Sequence, residues 1–476
     1  VVRIRPFSER EQNTGNARSI LTVDPVSHKT LQLDVRPTPK SFTFDFVAGS
    51  EIDQTEIFER CGRPIVDSCL SGYNGTIFCY GQTGSGKTYT MTGAGEGNVH
   101  RGLIPRILDN LFQSIDERSS NSTISFDISC SFLEIYNEKL ADLLGNNTGK
   151  PSNSTSLALR EDIKNGVYVE DLTQKTIRTT SEAMTLLKKG LANRHTGPTA
   201  MNEHSSRSHS VFTITVKSKE TENGVVKLRN SRLNLIDLAG SERQQSTGAE
   251  GERLTEACSI NKSLSVLGKV IMSLVEKANG KSSHVHYRDS KLTFLLKDSL
   301  GGNSKTCIVA NCSPATNSMS ETLSTLQFAA RAKFIKNQPM VNEDTSAQTM
   351  QVLQNQIANL TRQLHEERSK KAQAVGGTKT SGDDSKLRGV IQDLEENLLQ
   401  TMNRLASKED ERAALEERLK EKDRIIEAKE TLLETTRAAL RMASNSRKEQ
   451  GRRVRSAPTS LNPLDLDSDI GMEEGE

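Results

Sequence analysis

The 476-residue chain contains no tryptophan, and aromatic residues make up only 4% of it. At 34% hydrophobic and 26% charged, it carries less apolar material than a wholly globular protein usually does. A globular part with a polar helical or unstructured part appended is therefore expected. No run reaches the ~18 apolar residues that a membrane helix needs, so no membrane span is expected, and no signal peptide opens the chain. Seven cysteines, at 61, 69, 79, 130, 258, 307 and 312, make an odd count without a C-x-x-C pair. Several sit in apolar runs, which reads as buried free thiols in a reducing compartment rather than a disulfide framework or zinc site. Net charge is +2, so nothing marks the whole chain as a polyanion binder, and any basic face must be local. Val1-Val2-Arg3-Ile4-Arg5 lacks an initiator Met and reads as the middle of a strand, so residues upstream of Val1 are expected.

What is present is more specific. Gly81-Gln82-Thr83-Gly84-Ser85-Gly86-Lys87-Thr88 is a G-x-x-x-x-G-K-[ST] phosphate loop. Its glycines let backbone N–H groups fold into a nest around phosphates. Lys87 offers a point charge to the β and γ phosphates, and Thr88 a hydroxyl for Mg²⁺. The apolar run Thr76–Tyr80 in front reads as a buried strand, and a helix beginning near Lys87 would aim its positive end at the phosphates.

Residues 1–335 alternate strands with helices. Phe126–Tyr136, Val211–Val216, Leu233–Ile236 and Thr306–Ala310 read as strands; Leu254–Lys277 and Ser320–Lys336 carry helical periodicity. The alternation predicts an α/β domain with helices on both faces of a sheet. Pro339 marks an extended linker, 336–349. Met350, Leu353, Ile357, Leu360 and Leu364 form a short heptad seam, giving a helix over 350–371. A Gly-containing break follows at 372–385. Over 386–443 one stripe is good (Ile391, Leu398, Leu405, Arg412, Leu419, Ile426, Leu433, Leu440) and its companion poor, which fits a marginal coiled coil or a charged single helix. Residues 444–476, basic and then acidic, read as a disordered tail.

Two further segments narrow the class of NTPase. Asp237-Leu238-Ala239-Gly240-Ser241-Glu242 follows a strand, placing Asp237 where it can hold the water shell of Mg²⁺. Asn202-Glu203-His204-Ser205-Ser206-Arg207-Ser208-His209 clusters hydroxyls and a guanidinium ahead of another strand, as a loop ordered by a γ-phosphate would. The phosphate loop, N-x-x-S-S-R-S-H (switch I) and D-L-A-G-S-E (switch II), in that order, resemble the kinesin superfamily of microtubule motors. Arg3-Ile4-Arg5-Pro6, Arg101–Arg106, Phe132–Glu138 and Tyr287–Thr293 match as well, so the resemblance covers residues 1 to about 344.

The resemblance implies a P-loop motor domain with a central mixed sheet flanked by helices, and ATP with Mg²⁺ as cofactors. Arg3 and Pro6 would border the adenine and Tyr89 stack on it. Thr88 and Ser206 would reach Mg²⁺, with Asp237 acting through water. Asn202, Ser205, Ser206 and Gly240 would position the γ-phosphate and the attacking water. Arg207 would pair with Glu242 when the switches close, leaving Glu242 as the proton acceptor. His204 and His209 are given hydrogen-bonding or packing roles. Arg243, Lys262, Lys277, Lys281, Arg288 and Lys291 would meet acidic tubulin. Phe334–Asn342 resembles a neck linker, with Asn337 and Asn342 as pairing points and Pro339 weakening docking by its missing N–H. A linker placed after the core resembles plus-end-directed kinesins, and A-R-A-K-F-I-K-N…V-N-E-D the spindle-associated kinesin-12 group. The implied setting is cytoplasmic microtubules, with homodimerisation through the C-terminal helices. The alternative is a microtubule-binding regulator or crosslinker that hydrolyses ATP weakly. A nucleic-acid-dependent ATPase is disfavoured, because no basic groove interleaved with aromatics is visible.

Overall fold

The computed structural model describes residues 1–13, 18–94, 97–120, 124–145, 157–162, 166–195, 206–222, 225–242, 252–281 and 284–344, with isolated helical positions at 362, 414, 417, 418 and 421. The chain divides into two units, Val1–Asn403 and Arg404–Glu476, and the fold below lies in the first. Apart from those isolated positions, the helices read over 350–371 and 386–443, the break at 372–385 and the tail at 444–476 fall outside the described residues.

Among the described residues, ten strands share one sheet: β1 (Val2–Ile4), β2 (Val47–Ala48), β3 (Gly75–Tyr80), β4 (Ile124–Tyr136), β5 (Lys139–Asp142), β6 (Lys175–Thr176), β7 (His209–Glu222), β8 (Val225–Asp237), β9 (Lys305–Cys312) and β10 (Glu343–Asp344). Their order is β6-β4-β7-β8-β3-β9-β1-β2, with β5 on β4 and β10 on β8. From β8 to β2 the neighbours run parallel, and β4-β7-β8 is an antiparallel meander, so the sheet is mixed. β3 is buried at all six positions, the pattern of a central parallel strand covered on both faces. Strand alternation splits its side chains: Ile77 and Cys79 enter one core, Phe78 and Tyr80 the other.

The helices that cover the faces are α1 (Arg63–Leu70), α2 (Lys87–Met91), α3 (Leu103–Ser120), α4 (Thr180–His195), α5 (Glu252–Ala278), α6 (Lys291–Leu295) and α7 (Met319–Ala332). In α3, Leu103, Ile107, Leu108, Leu111 and Ile115 are buried at helical spacing against β3 and β4. On the opposite face α5 buries Leu264, Leu267, Val270, Ile271 and Leu274 against Ile236 and Leu238, and Tyr80 stacks on Phe328 of α7 at 3.7 Å. Among the described residues six cysteines are free, five of them buried.

Three sequence expectations change. Strands β7 and β8 run well past Val216 and Leu233, because the meander continues outward as a polar ribbon with Lys217 and Lys219 exposed. The last helix ends at Ala332, not Lys336. Beyond it the linker docks on the body. Asn337 Nδ2 donates to the carbonyls of Ser299 (3.0 Å) and Ser304 (2.7 Å), and its Oδ1 accepts from Gly301 N–H at 2.7 Å. Gln338 N–H donates to Gly302 O (3.0 Å), Met340 N–H to Asn303 Oδ1 (2.6 Å) and Asn342 N–H to Gly72 O (2.9 Å). Successive N–H groups of an extended chain point to opposite sides. Pro339 therefore stands where the donor faces away from this row, and its missing N–H interrupts none of these bonds.

Candidate functional site

The phosphate loop leaves the carboxyl end of β3 between β8 and β9, where three parallel strands converge. Gly81 (φ 151°) is held close to β9; a side chain there would run into the Asn311 carbonyl oxygen. Lys87, the first residue of α2, is almost fully buried, and its Nζ donates to the carbonyls of Gly81 and Gln82, both at 2.9 Å. Burial pulls its pKa below the usual lysine value, offset in part by Asp237 and Glu242. Gln82 Nε2 donates to Ser318 Oγ at 3.1 Å, and Gly84 O accepts from Arg5 Nε at 2.7 Å. Arg5 is itself fixed by Glu11 (2.6 Å), a pairing that holds the Glu11 carboxyl down at about 2.

Thr88 Oγ1 donates to Asp237 Oδ2 at 2.8 Å. Among the described residues, Asp237 Oδ1 and Ser85 Oγ are buried without a hydrogen-bond partner. An orphaned carboxylate oxygen and hydroxyl beside a buried lysine fit a magnesium-bound polyphosphate and its water shell. No group of three His, Cys, Asp or Glu side chains among the described residues forms a separate metal site, and no described helix is long and apolar enough to cross a membrane.

The two downstream segments meet at this loop. Gly240 N–H donates to Ser206 O at 2.9 Å, and Ser241 N–H to Gly81 O at 3.1 Å. The Glu242 carboxylate accepts from Thr83 N–H (2.8 Å) and Thr83 Oγ1 (2.5 Å). A side chain at 240 would collide with both Thr83 and Glu242, which explains the glycine. Asn202 and Ser205 lie outside the described residues. On the base side, Tyr89 is partly exposed, its hydroxyl 3.1 Å from His100 Nδ1 and its ring 5.4 Å from the Arg3 guanidinium. Arg3 is buried and donates to Gln54 (2.7 Å) and Thr90 (2.9 Å), so it supports Tyr89 from within the fold, whereas Pro6 is exposed.

Sequence reading passed over Arg5, although it stands inside Arg3–Pro6, and it passed over Arg194. Arg194, at the end of α4, is 2% exposed and lies 3.4 Å from Asp237 Oδ2 and 3.8 Å from Glu134, and it donates to Ser208 O at 3.0 Å. No spacing in the chain announces that meeting. Removing this cation takes a charge partner from two buried carboxylates, so Arg194→Ala should cost about 3–5 kcal/mol of stability, read from denaturant unfolding.

Of the basic candidates, Lys262, Lys277, Lys281 and Lys291 are exposed. Lys262, Ser265, Lys269 and Met272 form the solvent stripe of α5 at spacings of three and four, opposite its buried face. Arg288 is shared inside the protein, 3.2 Å from Glu161 and over the Phe294 ring. Arg243 lies outside the described residues. The two flanking signatures meet, as Lys291 N–H donates to Glu138 at 2.8 Å across the Asn137-Glu138 turn.

Comparison with known proteins agrees with this geometry. Residues 3–335 match the kinesin motor domain family. The chain is 53% identical over 372 residues to kinesin-like protein KIN-12E of Oryza sativa subsp. japonica, covering 76% of this chain and 19% of that protein. It is 43% identical over 472 residues to kinesin-like protein KIF15 of Rattus norvegicus, covering 98% of this chain and 33% of that one. A solved structure of a KIF14 dimer in a two-heads-bound state, with AMP-PNP and in complex with a microtubule, superposes with a TM-score of 0.66 at 42% identity, covering 73% of this chain and 96% of that one. The chain thus spans a third or less of the length of these two curated relatives. With the phosphate loop, Ser206, the Asp237–Glu242 segment and the mixed sheet in one arrangement, the chain belongs to the kinesin family through its motor domain.

Proposed function

We propose that this chain is a microtubule-stimulated ATPase that couples hydrolysis to plus-end-directed movement. The observation that carries it is the joined nucleotide centre. Gly240 and Ser241 tie switch II to Ser206 and to Gly81, and the same segment continues toward α5, whose outer stripe presents Lys262 and Lys269. The relative solved on a microtubule supports tubulin as the partner.

Thr88, Ser206 and Asp237 are the residues that would hold Mg²⁺ beside the phosphates, and the ion would supply neutralisation of phosphate charge when bound. Lys87 and the N–H groups of 81–88 bind the phosphates. Asn202, Ser205, Ser206 and Gly240 orient the γ-phosphate and the water. Glu242 takes the water's proton through a relay, and Arg207 pairs with it once the switches close. No covalent intermediate is needed, because positioning and charge neutralisation dominate. Arg3 and Tyr89 line the base end. Residues 1–335 form the motor, 336–349 the linker, and the helices beyond support a homodimer. The kinesin-12 likeness suits work on spindle microtubules.

The test is steady-state ATPase of the whole chain with and without microtubules, in low and raised salt. Stimulation that weakens with salt is expected, since lysine contacts to an acidic filament are screened. Absence of stimulation would leave a weakly hydrolysing crosslinker, and stimulation by single-stranded DNA instead would overturn the partner.

A further inference from the structure

His209, the last residue of the switch I motif, opens β7, is 2% exposed, and uses both ring nitrogens. Its Nδ1 accepts from the Ala239 N–H at 3.0 Å, and its Nε2 lies 2.8 Å from Ser263 Oγ on α5. A backbone N–H can only donate, so Nδ1 carries no proton. The remaining proton sits on Nε2 and is donated to the serine hydroxyl. Burial, with Arg194 and Lys87 nearby, pushes the ring down to about 3, so it stays neutral and this tautomer persists through the working pH range.

The position of this ring in the fold matters. Ser210 pairs with Asp237 across β7 and β8, so His209 stands where switch II departs from the sheet. Ala239 lies between Asp237 and Gly240, and Ser263 is one residue from Lys262 on the exposed stripe of α5. The surrounding α5 contact is apolar, built from Leu264, Leu267 and Val270 on Ile236 and Leu238. Apolar side chains tolerate sliding, whereas a paired donor and acceptor fix one register.

We propose that His209 is a positioning residue that ties Ala239 of switch II to Ser263 of α5, so that displacement of the switch segment displaces the track-facing helix. The inference rests on the motor reading above. The ring is buried, and both of its nitrogens are occupied within the protein. It acts through the two groups that it holds at a fixed separation, and the free energy of nucleotide binding reaches the filament as a coupling between two sites.

The test measures microtubule affinity of the whole chain by co-sedimentation with ADP and with AMP-PNP, beside KM for ATP and basal turnover. Ser263→Ala removes one hydroxyl and keeps the Ala239 bond. His209→Asn keeps an acceptor near Nδ1 and loses the reach to Ser263, while His209→Gln does the reverse. The ratio of the two affinities should fall about tenfold in Ser263→Ala and in His209→Asn, with KM for ATP within twofold of the parent in Ser263→Ala, and Ser263→Thr should restore the ratio. A parent with no nucleotide-dependent affinity would sink the motor reading itself. A parent ratio that survives in both Ser263→Ala and His209→Asn overturns this inference alone. Should His209→Asn melt early, Ser263→Ala decides, because it leaves the ring in place.

Discussion

Lys87→Ala leaves a protein that no longer holds ATP. The lysine is buried beneath the loop with its ammonium on the carbonyls of Gly81 and Gln82, so no neighbouring side chain can swing in as a substitute. Its charge is already partly desolvated, and a contact made there to phosphate is worth more than one made in water. Losing it should weaken ATP by about a hundredfold or more, close to 3 kcal/mol, as expected for charge-assisted bonds. Titration calorimetry checks this directly. Heating scans give an independent view: saturating ATP should raise the melting temperature of the parent chain and leave that of the variant unchanged. A variant that binds as well as the parent would show that the loop is not the phosphate site.

Glu242→Ala should separate binding from turnover. The carboxylate stands on Thr83 N–H and Thr83 Oγ1, at the mouth of the phosphate loop, and Lys87 contributes to the field around it. If it accepts the proton of the attacking water, its loss lowers kcat by about 10² to 10⁴ while ATP affinity stays within severalfold. Glu242→Gln sharpens the reading. The amide oxygen still accepts from Thr83, so the loop keeps its shape, but the group cannot act as a base. Equal losses in both variants assign the effect to the carboxylate's charge, as proton acceptor or as partner of Arg207, and not to its hold on Thr83. A loss in alanine that glutamine rescues would instead assign Glu242 to holding Thr83.

The parts of this protein that could be read in one dimension are those whose chemistry is local. The phosphate loop announces itself because a run of glycines before Lys87-Thr88 has few other uses, and the strands around it show in alternating or continuous apolar residues. Asp237 was legible because it follows such a strand. Arg194 was not, since its partners Asp237, Glu134 and Ser208 come from three other elements. The same holds for His209, whose bonds reach Ala239 and Ser263. Pro339 failed for a different reason. A missing donor counts only if it would have faced the body, and the side on which each N–H emerges depends on a register that composition does not carry. Arg288 reads as a tubulin contact by its charge, and its pairing with Glu161, from a distant strand, was not legible in the sequence.

The docked linker is fastened largely by the pendant amides of Asn303, Asn337 and Asn342, and it adds rungs to the sheet near its end, at Asn342 and β10. Letting go therefore opens a row of clasps along the rim and leaves the interior ladders closed. On the motor reading proposed above, the body would release and recapture this strap at each turnover with its own sheet intact, which would make mechanical wear and thermal endurance separate properties of the molecule.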